Sequence, residues 1–132
     1  MKLTKHDIKR IDGIARRVRL KFPCSAGACY YSSIVLMKAL NHAGYFARMV
    51  HGTFYLDNPN IGKYNYDVDE NQAKHATHYW VQIGAVIIDT TADQFVDEVD
   101  GEHIPKVVIG KAAALWRYEP KGDYKLSQFE QD

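Results

Sequence analysis

Between Thr77 and Thr91 the chain reads His78-Tyr-Trp-Val-Gln-Ile, then Gly84-Ala85, then Val-Ile-Ile-Asp89-Thr-Thr. No other stretch restricts the fold as much. Two apolar runs rich in β-branched and aromatic residues, separated by two residues with Gly first, predict a tight β-hairpin. A two-residue loop also sets the register. Ile83 pairs with Val86, and counting outward puts Trp80 opposite Asp89 and His78 opposite Thr91. Paired residues share a face, as do residues two apart on one strand. His78, Trp80, Asp89 and Thr91 are therefore expected on one side of the sheet. His78 and Asp89 become diagonal neighbours, with Cβ atoms roughly 7 Å apart or less, within reach of an imidazole–carboxylate hydrogen bond. A longer loop or a bulge would reverse this parity.

The second informative stretch runs from Gly27 to Gly44. Ile34, Met37 and Leu40, with Tyr30 or Ser33 a turn earlier, recur at helical spacing and predict a helix with one buried stripe. Gly44 stands where a left-handed C-terminal cap belongs. Pro23, Ser25 and Gly27 keep the chain irregular until Cys29, so a thiol opens the helix. There it lies beside unpaired backbone N–H groups and the positive end of the helix dipole. That setting favours the thiolate, which is the nucleophilic form.

The rest of the chain supplies a frame for these two pieces. Its 132 residues suit one domain with one real core. A first helix is expected from Thr4 to about Leu20, within an N-terminal segment 1–22. Thr4 and Asp7 form its capping box, and Ile8, Ile11, Ala15 and Val18 its apolar stripe. Lys9, Arg10, Arg16, Arg17 and Arg19 occupy the other face, expected to be solvated. Tyr45 to Tyr55 alternates around Gly52 as a strand. Asp57 to Lys74 has no periodic pattern and is a candidate rim over a site. A short helix or turn is expected from Ala92 to Val99. The apolar residues Val107–Ile109 and Ala112–Tyr118 add to the core, and a polar, frayed tail follows over 121–132. The expected fold class is α+β, with N-terminal helices packed on an antiparallel β-sheet and the central helix carrying the cysteine.

Composition narrows the function classes. A net charge of +1 gives no case for nucleic acid. No apolar run reaches membrane-spanning length, and no signal-peptide core opens the chain, which reads as cytoplasmic. Cys24 and Cys29 are then expected reduced. Cys24 reads as structural or incidental. A zinc site drawn from both cysteines, His75 and His78 is off the usual ligand spacing, so no metal is expected. His6, His42, His51 and His103 have no evident partner.

Cys29, His78 and Asp89 together match what thiol attack on a carbonyl requires: an ionised sulfur, a base that later protonates the leaving group, and a carboxylate that orients the base. A thiolate–imidazolium pair about 4 Å apart gains about 4 kcal/mol at an effective dielectric near 20. This corresponds to about three pKa units before desolvation is subtracted. The Cys29 backbone N–H supplies one oxyanion donor. Gln94, Trp80, Gln72 and a backbone N–H near Ser25 are the candidates for a second donor or a substrate contact. Tyr64, Tyr66, Tyr79 and Trp80 are candidates to line a peptide groove or to cover the core.

These motifs also carry a resemblance. Gly27-Ala28-Cys29-Tyr-Tyr-Ser-Ser, Ala47-Arg48-Met49-Val50-x-Gly52, His78-Tyr-Trp-Val and Ile-Ile-Asp89-Thr-Thr-Ala, in that order, resemble the transglutaminase-like branch of the papain-like cysteine enzymes. Asp89-Thr-Thr-Ala-Asp-Gln-Phe is similar to small bacterial and phage members of that group. The resemblance covers roughly Gly27 to Phe95. It implies a helix on an antiparallel sheet, with Cys29, His78 and Asp89 as a triad. Two departures stand out: Pro23 to Ala28 lacks the oxyanion-hole Gln of papain-type proteases, and no Asp-x-Asp-x-Asp-Gly calcium loop is present.

The expected function is thus a cysteine-dependent hydrolase or acyltransferase. It acts on an amide or peptide bond through a thioester and needs no cofactor. Its partner is a peptide or protein substrate, or a small amide. Two alternatives stay open. One is a catalytically inactive peptide- or protein-binding module, for instance a phage protein acting on a host partner. The other is an arylamine-type acetyltransferase, which shares the Cys-His-Asp order.

Overall fold

Helix α1 spans Lys5–Lys21, and Thr4 starts it as expected. The Thr4 side chain accepts the Asp7 N–H, and the Asp7 carboxylate accepts the Thr4 N–H at 2.8 Å, so two otherwise unpaired donors are satisfied. Ile11, Ile14, Ala15 and Val18 are buried on its inner face, while Ile8 is only half-buried. The computed structural model describes residues 2–23, 28–56, 75–95, 99 and 103–127. The proposed rim at 57–74, with Tyr64, Tyr66 and Gln72, lies outside these residues, as do Cys24, Ser25, 96–98 and the chain beyond 127.

Helix α2 spans Ala28–His42. It ends in a Schellman motif: Tyr45 N–H bonds Leu40 C=O at 3.1 Å, Gly44 N–H bonds Asn41 C=O at 3.0 Å, and Gly44 has φ +100°. The Asn41 amide then holds both backbone groups of Ala47, which fixes where the first strand begins. Tyr45 closes the helix pair by donating to Asp7 of α1 at 3.0 Å. The buried residues of α2 are Cys29, Ser32, Ser33, Ile34, Leu36 and Leu40, so Ile34 and Leu40 lie inward as expected, whereas Met37 is half-buried. Cys29 itself belongs to the inward stripe, so the helix aims its thiol at the sheet.

The sheet contains β1 (Ala47–Tyr55), β2 (His75–Ile83), β3 (Val86–Asp89), β4 (Val108–Lys111) and β5 (Tyr118–Asp123), in the order β4-β3-β2-β1-β5. Every neighbouring pair is antiparallel. The β2–β3 turn has the register the sequence dictates, with Ile83 opposite Val86 and Val81 opposite Ile88. Gly84 has φ +58°, and no other residue type takes a positive φ among the described residues, as the Gly-first turn requires. Both helices pack on one face, where Leu36, Leu40, Val81, Ile83 and Ile88 meet the α1 stripe. A second core covers the opposite face, with Val50, Phe54, Trp80, Ile87, Phe95 and Tyr118. Among the described residues no helix is long and apolar enough to cross a membrane.

Two expectations change. The tail does not fray at Lys121: β5 runs through Asp123 along β1, and Tyr124 N–H bonds Met49 C=O at 2.8 Å. The strand escapes notice in the sequence because Pro120 and Gly122 interrupt its pattern and it pairs with a strand far away in the chain. Nor is the basic face of α1 wholly solvated. Arg19 turns inward and grips Asp93 and the Thr90 carbonyl, with its side chain 14% exposed.

Candidate active site

Three elements deliver the central groups: the start of α2, the middle of β2 and the end of β3. Following the hairpin register, His78 and Asp89 lie on the same side as Trp80 and Ile87, the face opposite the helices. His78 Nε2 and Asp89 Oδ2 are 2.7 Å apart, with both side chains buried. The His78–Asp89 contact expected from the turn is present, but the β2–β3 ladder stops at Val81–Ile88 and pairs neither Trp80 with Asp89 nor His78 with Thr91.

Cys29 comes to this pair from the helix side. Strand β3 pairs with β2 only as far as Val81, so the β2 edge before that point is not taken up by β3. There the Tyr79 backbone N–H and the imidazole of His78 act on the Cys29 thiol and favour its ionised form. Because Asp89 holds Nε2, the ring nitrogen left for the sulfur is Nδ1. Gln94 completes the group: its Nε2 lies 3.5 Å from His78 Nδ1, and it too favours the ionised form of Cys29.

The carboxylate of Asp89 is saturated. Oδ2 takes His78 and the Tyr118 hydroxyl, which donates at 2.8 Å. Oδ1 accepts the Thr91 N–H at 2.9 Å and the Thr91 hydroxyl at 3.3 Å. An aromatic box encloses the imidazole, with Phe95 at 5.2 Å, Phe54 at 5.5 Å and Trp80 at 5.9 Å between ring centroids. The imidazole is fully buried among these rings.

Electrostatics follow from this geometry. Burial opposes ionisation at all three groups and is the largest single influence on each. At Cys29 the hydrogen bond and charge of His78, the Tyr79 N–H and Gln94 together overcome it and leave the thiol below its ordinary value. At His78 the Asp89 charge and hydrogen bond, then Cys29, outweigh burial and raise the imidazole to about 9. At Asp89 the charge and hydrogen bond of His78, with the Thr91 N–H and Tyr118, hold the carboxyl below the usual range. All three shifts favour the charged forms. The arrangement favours charge on the sulfur, the imidazole and the carboxylate together.

The other candidates separate clearly. The Trp80 indole N–H is directed away from any oxyanion, donating to Gln82 Oε1 at 2.9 Å within the second core. Tyr79 stands in an edge-to-face triangle with Tyr30 and Tyr124 beside Cys29, each ring within 5.7 Å of the others. A cleft of about 450 Å³ lies beside the second core, lined by Phe54, Ile104, Leu115, Trp116 and Tyr118 among others. Neither Cys29 nor His78 borders it. Among the described residues no group of three or more His, Cys, Asp and Glu side chains is arranged to hold a metal ion.

Tyr118, Arg19 and Phe54 were not read from the sequence as parts of a site. Arg19 N–H groups bond both Asp93 oxygens, at 2.5 and 2.7 Å, and the Thr90 carbonyl at 2.7 Å. The Thr90 hydroxyl also meets Ser32 of α2 at 2.8 Å. The segment from Asp89 to Gln94 is thereby tied to both helices. Comparison with known proteins gives no match to a family model, a curated protein or a solved structure, so the chemistry of this site rests on its own geometry.

Proposed function

We propose that this protein is a cysteine-dependent hydrolase or acyltransferase of the transglutaminase-like, papain-like kind, acting on an amide or peptide bond. The observation that carries the reading is the contiguous Cys29–His78–Asp89 chain, in which every neighbour stabilises the ionised form of the next.

The Cys29 thiolate adds to the carbonyl carbon, and the carbonyl π pair moves onto oxygen. The Cys29 backbone N–H has no partner within its helix, and with the Gln94 amide N–H it is suited to hold that oxyanion. Collapse breaks the C–N bond, and the His78 Nδ1 proton goes to the leaving nitrogen. His78 then takes a proton from water, whose oxygen resolves the thioester to a carboxylic acid and restores the thiolate. A bound amine in place of water gives acyl transfer. Asp89 keeps Nδ1 turned toward the sulfur throughout. No cofactor enters these steps, and the free thiol they need suits a reducing compartment such as the cytoplasm.

Alkylation of Cys29 by iodoacetamide, followed by mass spectrometry across pH, tests the reading. The wild type is expected to react well below the free thiol value of about 8.5, and His78→Ala is expected to abolish that behaviour. A free-thiol titration in both proteins overturns the proposal. A second reading, a binding module without turnover, draws on burial: Cys29 is 8% exposed and His78 0%. It predicts an unreactive Cys29 and a biological effect that survives Cys29→Ala.

A further inference from the structure

We propose that Tyr118 is a positioning residue that acts through Asp89: its hydroxyl shares Oδ2 with His78 and limits how strongly the carboxylate stabilises the imidazolium. The inference rests on the Cys29–His78–Asp89 reading and extends it to the edge strand β5.

Tyr118 is the first residue of β5, opposite Phe54 of β1. Its ring crosses the sheet on the face away from the helices, packing edge-to-face on Phe54 at 5.2 Å and Trp80 at 5.1 Å. The hydroxyl ends 2.8 Å from Asp89 Oδ2, the same oxygen that bonds His78 Nε2. Two donors therefore share one oxygen. Each hydrogen bond to a carboxylate withdraws charge from it, and bonds to charged groups are stronger than neutral ones. With the hydroxyl in place, Asp89 attracts His78 less than an otherwise identical carboxylate would.

The aim of Asp89 survives without the hydroxyl, because the Thr91 N–H and hydroxyl grip the other oxygen. Loss of the Tyr118 hydroxyl thus changes the charge on Oδ2 more than its direction. The charged and titratable groups around the pair fit this account. Cys29 faces His78 from α2, Tyr118 faces Asp89 from β5, and the Arg117 charge acts on Tyr118. On the segment after β3, Arg19 and Asp93 neutralise each other.

The test follows the His78 imidazole by NMR against pH, together with Cys29 alkylation, in wild type, Tyr118→Phe and protein carrying 3-fluorotyrosine at position 118. Tyr118→Phe keeps the ring that Phe54 and Trp80 pack against, and so keeps the fold. Its His78 titration is expected to move up by about one unit, tenfold in the protonation equilibrium, and its thiolate to appear at lower pH. 3-Fluorotyrosine, a stronger donor, is expected to move both in the opposite direction. Unchanged or downward titration in Tyr118→Phe overturns this inference while leaving the Cys29–His78–Asp89 reading intact. An ordinary imidazole titration and a free-thiol profile in the wild type overturn both.

Discussion

Arg19 and Asp93 stand 74 residues apart in the chain and meet through two parallel hydrogen bonds, at 2.5 and 2.7 Å. The pair joins α1 to the turn that carries Gln94, one residue beyond Asp93. The bidentate fork and the third bond to the Thr90 carbonyl require a guanidinium, which a lysine ammonium cannot imitate.

Arg19→Lys is therefore expected to behave more like Arg19→Ala than like wild type. Removing one partner of a half-desolvated, bidentate pair costs about 1–3 kcal/mol. Urea unfolding should show this loss in both variants, and Cys29 alkylation below neutral pH should slow. A fully stable Arg19→Lys protein would show that the fork geometry is not required.

Gly52 has no room for a side chain. A Cβ there would come within 2.3 Å of the Glu119 carbonyl and 2.5 Å of the Trp80 ring. Gly52 pairs with His78 on one side and lies at the β5 irregularity on the other. Gly52→Ala is expected to force β5 and Trp80 apart at a cost of about 1–3 kcal/mol, measured by thermal or urea unfolding. Ala at the open position Gly13, where nothing lies within 4 Å, should not destabilise in this way.

The pH dependence of stability has a definite sign. His78 rises from its ordinary 6.5 to about 9 on folding. Its contribution is fully present below 6.5 and is lost as pH rises through about 9. Asp89 falls below its ordinary 3.8, so its contribution is present above 3.8 and is lost as pH drops through the lower folded value. To isolate His78 from the thiol, unfolding of Cys29→Ser is compared with Cys29→Ser/His78→Gln. The gap between them should be widest near pH 5 to 6 and narrow above about 6.5, falling off sooner than in the wild type because Cys29 no longer helps to raise the imidazole. A gap that widens with pH would reverse the assignment of the charged imidazole.

Gln94→Ala is expected to slow acylation of Cys29 by an activated amide or ester. Loss of one oxyanion donor costs about 10²–10³ in rate. Alkylation by iodoacetamide develops no oxyanion and should change far less. An equal loss in both reactions would make Gln94 a support for the thiolate and no more.

How much of this was legible in the sequence depended on the distance between partners. The His78–Asp89 contact followed from counting across a two-residue turn, and the α1 cap from residues three apart. The inward aim of Cys29 was half legible: Ile34 and Leu40 are buried as the helical period implies, but Leu36 is buried where Met37 only packs half-exposed against the core. Tyr118 and Arg19 were not legible. Nothing near Tyr118 indicates that β5 lies beside β1, and an arginine on an amphipathic helix looks the same whether it meets water or Asp93. The five-strand order is a long-range property, set by packing on both faces.

One consequence of the strand order concerns timing. Tyr118 lies on β5, which joins the sheet beside β1 although much of the chain separates them. On a ribosome, residues 29, 78, 89 and 94 have all been made before that strand exists. Until it docks, Asp89 lacks the Tyr118 hydroxyl, and Phe54 and Trp80 lack the ring that packs edge-on against both. The second core is thus closed last, by a strand made after every residue it covers.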